Sequence, residues 1–129
     1  MKIATLVARI LLGLLFFVFG LNNILHFMPT PAMPPSDATT FATILMNSHY
    51  MTFVGLLMVI AGLLLLVGRF VPLALVLLGP ILVNILLFHF LLQHGGAAIG
   101  LVATVLEIFL IIVYRKSFYT LFHPAPEVW

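Results

Sequence analysis

The sequence predicts an all-α membrane protein: a four-transmembrane-helix bundle that forms a single domain, with both termini on the cytoplasmic side. Three observations carry this. The 129 residues are 64% hydrophobic and 6% charged, with a mean hydropathy of +1.34, far from the balance of a soluble domain. The apolar residues gather into four runs, each near the roughly 20 residues that a spanning helix requires. The five cations, Lys2, Arg9, Arg69, Arg115 and Lys116, all fall on one side of those runs, and the positive-inside rule places that side in the cytoplasm.

The first span is expected over residues 3–27. A basic flank before an apolar run also begins a signal peptide, but here the run continues into Asn22, Asn23 and His26 without a small-residue cleavage site, so a retained span is expected. Residues 28–50 form a Pro-rich outer segment with Pro29, Pro31, Pro34 and Pro35. Within it, Ser36 or Asp37 can cap a short helix through Met46, whose Phe41, Ile44 and Leu45 would turn one face to the bundle or interface. The second span covers 51–67 and the third 71–92, joined by a tight turn at Gly68 to Pro72; the fourth covers 97–114. Short connections impose antiparallel neighbours. A cytoplasmic tail, 115–129, follows, whose polar, Pro-broken end from His123 to Trp129 is expected to be disordered.

Glycine spacing predicts how two of the spans meet. Gly13 and Gly20 in span one, and Gly55 and Gly62 in span two, are each seven residues apart and so share a helix face. In antiparallel register Gly20 falls level with Gly55 and Gly13 with Gly62, which allows close backbone approach. Gly79-Pro80 should kink or locally unwind span three.

Five basic and three acidic residues are too few for a nucleic-acid-binding face. With no cysteine, disulfides, thiolate metal sites and CxxC redox chemistry are excluded. No phosphate loop, nucleophile elbow or calcium loop is present, and no residue set is assigned to catalysis.

The motifs AxxLLGLLFFVFGLNN in span one, HFMPTPAMPP after it, GRFVPLALVLLxPxxVNILLFH through the second turn and span three, and LEIFLIIVYRKSF in span four resemble the DoxX family over nearly the whole chain. The resemblance implies a four-helix bundle of a bacterial cytoplasmic (inner) membrane, in a family named for a subunit of a thiosulfate:quinone oxidoreductase; most members have no established activity. Members often have an acidic residue in span two, in a Glu-Val-Ile/Val-Gly-Gly context. The matching stretch here is Met58-Val59-Ile60-Ala61-Gly62, so chemistry that needs that carboxylate should be missing.

Polar groups within hydrocarbon are costly and usually face the bundle interior. Asn22, Asn23, His26 and Asn84 are the expected lining of an outward-facing cavity that offers amides and imidazole to a quinone, a lipid or another amphipathic ligand; equally, the amides can bond between helices and hold the bundle together. His89, the remaining ligand-binding candidate, lies near the outer interface. Arg9 and Glu107 are at matching depths and are expected to form a structural ion pair; were they unpaired, Glu107 would suit a small proton-coupled transporter. No metal site is expected. A copper site would draw on His26, His49, His89 and His94 with Met28, Met33, Met46 and Met51, yet no two of these histidines have i, i+4 spacing. The expected role is therefore a non-catalytic accessory protein that binds a lipophilic molecule or a partner subunit in the outer half of the bundle. The alternative is a subunit of a quinone-linked oxidoreductase. Membrane lipids, a second copy or another membrane subunit are the partners the sequence suits.

Overall fold

The computed structural model describes residues 2–28, 34–125 and 127–128; the expectations for Pro29, Pro31 and Met33 lie outside these. Helices α1 (Lys2–Leu25), α3 (Tyr50–Val67), α4 (Val71–Leu87) and α5 (Ala98–Val113) make the bundle, and α2 (Asp37–Asn47) caps one end. A π-helical segment, Phe88–Gln93, extends α4, and a 3-10 helix, Arg115–Phe122, follows α5. The chain is an all-α bundle of long apolar helices, that of a multi-span membrane protein. Three of them are long and apolar enough to cross unaided: α1, α3, and α4 with its π extension, Val71–Gln93. The fourth, α5, has 16 residues, about 24 Å of helix.

The helices form a closed ring in which α1 packs on α3 and α5, and α4 packs on the same two. The core runs through all four: Leu12 and Phe16 from α1, Ala61 and Leu65 from α3, Leu75 and Leu78 from α4, and Leu110 from α5 are buried. The outward faces are equally apolar, with Leu63, Leu73, Val83, Val105 and Ile112 exposed. Helices hydrophobic all round suit a solvent of hydrocarbon.

The α1–α3 seam is built as the glycine spacing predicts. A Cβ on Gly20 would lie 2.8 Å from the Gly55 carbonyl oxygen, and one on Gly62 would lie 2.8 Å from that of Gly13. Backbone meets backbone there. The α4–α5 pair is antiparallel too, with Gly100 against Ile85 and Leu86, and Gly79 facing Glu107. Since Arg9 lies against Gly68 in the α3–α4 turn and α1 begins beside the end of α5, all five Lys and Arg gather at one end, hereafter the basic end.

Ser36 is the N-cap of α2, its Oγ accepting from the Thr39 amide at 3.2 Å. The face turned to the bundle is Ala38, Ala42 and Leu45, at i, i+4, i+7 spacing, with Ala38 buried and the other two half-buried. Phe41 sits at the flank, 5.9 Å ring to ring from Phe88, and Ile44 points outward, 60% exposed, against expectation. Pro80 does not unwind α4, which stays helical through it. Beyond Tyr114 the chain turns by 80°, so the 3-10 helix lies across the basic end. The 3-10 helix ends at Phe122, ahead of the end expected to be disordered; Pro126 and Trp129 lie outside the described residues.

Candidate functional site

The outer polar residues are not assembled into a cavity. Asn22, Asn84 and His89 bond close to their own positions in the chain, Asn23 bonds across the seam, and His26 is exposed. Asn22 Oδ1 accepts from the Met28 amide at 2.8 Å, finishing the end of α1. Asn23 Nδ2 donates across the seam to Met58 Sδ at 3.5 Å, so Met58 supplies the soft acceptor of an interhelical contact. Asn84, expected to face Asn22, is exposed on α4 and donates from Nδ2 to the Pro80 carbonyl at 2.9 Å. By bonding its own helix, Asn84 lowers the cost of facing lipid, which removes the reason to place it inward. His26 is exposed and ends α1 with a left-handed φ of 55°. His89 is half-buried, its Nδ1 2.8 Å from the Ile85 carbonyl where α4 passes into the π segment.

Two of the four histidines once grouped as metal candidates, His49 and His94, also take left-handed turn positions, at φ 61° and 56°. A few per cent of non-glycine residues do so, with His among the enriched types. Among the described residues no three His, Asp or Glu side chains come together to hold a metal ion.

Arg9 and Glu107 do not pair, although their depths match. Both Glu107 oxygens and Arg9 Nε are buried without a hydrogen-bond partner among the described residues. The reason is direction. Side chains on a helix tilt toward its N-terminus, and in antiparallel α1 and α5 those termini lie at opposite ends. Arg9 therefore reaches down to the basic end, where a Cβ on Gly68 would lie 2.6 Å from its Nη1. Glu107 reaches the other way, toward Gly79. It is 4% exposed, and a Cβ on Gly79 would have Glu107 Oε2, at 3.8 Å, as its one near neighbour among the described residues.

Two features escaped the sequence reading. One is the place beside Glu107 Oε2 where Gly79 has no Cβ, which Gly79-Pro80, read only as a break, did not disclose. The other is an open cleft of about 500 Å³ at the basic end, lined by Lys2, Thr5, Leu6 and Arg9 of α1 and by Val113 and Tyr114. The i, i+3, i+4, i+7 spacing of its α1 residues was the available signal.

Fold and site together define a small all-α, multi-pass membrane protein with one unpartnered carboxyl in its interior. No family model, curated protein or solved structure matches the chain.

Proposed function

We propose that the protein is a non-catalytic accessory component of a bacterial cytoplasmic membrane, DoxX-like in its motifs, that holds a lipophilic molecule by a polar group bonded to Glu107. One observation carries this: a carboxyl 4% exposed, with both oxygens unpartnered, in the middle of a membrane bundle. Leaving a buried polar group unsatisfied costs about 1–3 kcal/mol, and ionisable residues inside membranes are as a rule functional. At Gly79 an added Cβ would make only ordinary contact with Oε2, at 3.8 Å, so a small group can meet the carboxyl from that side. A hydroxyl, an amine or the hydroxyl of a reduced quinone would meet it, on a molecule apolar enough to arrive through lipid. The binding position accordingly moves from the outer polar residues, four of which are already bonded, to mid-depth between α4 and α5. With Met58 in span two, Glu107 is the carboxyl available for such a role.

The test is extraction. Protein purified in mild detergent is extracted with organic solvent, and its contents are compared by mass spectrometry with those of Glu107→Leu and Glu107→Gln. A molecule enriched over bulk lipid in the wild type and lost from Glu107→Leu supports the proposal. Identical extracts, with Glu107→Leu simply more heat-stable, would overturn it. A redox-active quinone in the wild-type extract would turn the reading toward the oxidoreductase subunit. A proton leak in proteoliposomes, abolished by Glu107→Gln, would turn it toward a proton-coupled carrier.

A further inference from the structure

The cleft at the basic end has a composition that the interior site does not explain. Its walls are the first turns of α1 and the last residues of α5 with Tyr114, and it opens at about 500 Å³. Lys2 and Arg9 supply two cations, Leu6 and Val113 apolar floor, and Tyr114 an amphipathic ring of the kind that settles at headgroup level. Among the described residues no acidic side chain lines it. Arg9 reaches it from within the bundle, its Nε buried and unpartnered, while Arg115 turns away to the Ile112 carbonyl at 2.9 Å. Because the 3-10 helix leaves α5 at 80°, the chain after Tyr114 runs across the end of the bundle instead of continuing along α1.

We propose that this cleft binds one anionic phospholipid, its phosphate at Lys2 and Arg9 and the upper part of an acyl chain over Leu6 and Val113. Charge complementarity selects the headgroup. A free phosphate would satisfy the cations but leave the apolar floor uncovered, and a zwitterionic lipid brings its own cation to a site that already has two. Basic pockets between spans on the cytoplasmic side are suited to such headgroups. Each cation near an anionic headgroup contributes about fivefold in affinity, so the two together contribute about 30-fold.

The protein is reconstituted with equal amounts of an anionic and a zwitterionic phospholipid of identical chains, released into the gas phase, and its retained lipids counted by native mass spectrometry. The wild type should retain one anionic lipid preferentially, and Lys2→Gln with Arg9→Gln should weaken that retention about 30-fold. Leu6→Trp, which fills the floor without altering charge, should also expel the lipid; it keeps the test open if the double variant does not fold. Arg69→Gln removes a cation of the same end outside the cleft and should change little. Equal retention of both lipids, an equal loss in Arg69→Gln, or displacement by millimolar inorganic phosphate would each overturn the proposal.

Discussion

Gly20→Ala tests the α1–α3 seam most sharply. The added methyl would lie 2.8 Å from the Gly55 carbonyl oxygen, 2.9 Å from Met58 Cβ and 2.9 Å from the Val59 nitrogen. Two of these atoms are backbone, and neither can rotate away. Restoring ordinary contact requires the helices to part by about 0.5–1 Å, a gap that forfeits a quarter to a half of the dispersion energy of each contact it opens. Overpacking of this kind costs about 1–3 kcal/mol, and alanine's better helix propensity returns about 0.5–1 kcal/mol, leaving a net loss of roughly 1–2 kcal/mol. Gly100→Ala is the control. Its methyl would meet only the side-chain ends of Ile85 and Leu86, at 3.3 and 3.5 Å, which can yield, so it should be neutral or slightly stabilising. Denaturant unfolding in one detergent, followed by circular dichroism, compares the two. Gly20→Ala with Gly55→Ala should cost less than the sum of the single changes, because one separation accommodates both methyls. If Gly20→Ala proves no more harmful than Gly100→Ala, the close backbone contact is wrong.

Three further outcomes are expected. Asn84→Leu should change thermal stability by no more than about 0.5 kcal/mol, the range of a surface substitution; a loss near 2 kcal/mol would mean that the amide bonds another helix. Ser36→Ala should destabilise α2 by about 1 kcal/mol through loss of its cap, seen as faster amide exchange confined to residues 37–47, and uniform exchange across the bundle would contradict it. Single cysteines at Asp37 or Gly95 should react with an impermeant thiol reagent added from outside, while those at Arg69 or Ser117 should be protected; the reverse pattern would invert the assigned orientation.

The residues that were legible in sequence are those whose partners are set by spacing along one helix. Gly13, Gly20, Gly55 and Gly62 announce their seam because antiparallel register follows from their numbers alone, and Ser36 announces α2 because its cap bonds only three residues away. Arg9 and Glu107 were misread for the opposite reason. Equal depth of two Cα atoms does not bring side chains together when antiparallel helices tilt them apart. Asn84 illustrates a different failure: a polar residue in an apolar span points inward by default, but the Pro80 carbonyl one turn back gave its amide a partner within the same helix. Nothing in Phe88 to Gln93 distinguishes a π segment from a last turn of α-helix. The cleft is hidden in the sequence because topology accounts for Lys2 and a pair with Glu107 accounts for Arg9, each a sufficient reading of a cation until its neighbours in space are known.

The brevity of α5 has a consequence beyond the bundle. At about 24 Å it falls short of the roughly 30 Å hydrocarbon core, while α1 on one side of it and α4 with its π extension on the other run to about 35 Å. The apolar belt therefore varies in height around the circumference. Lipid beside α5 must thin or tilt to meet it, at fractions of a kcal/mol for each ångström of mismatch, on the order of 1–3 kcal/mol for the whole deficit. That deformation is relieved when a second thin-belted surface, from another copy or a different membrane protein, lies against the same flank. A bilayer deformed at one flank alone gives the molecule two unlike sides toward lipid without a single dedicated contact residue.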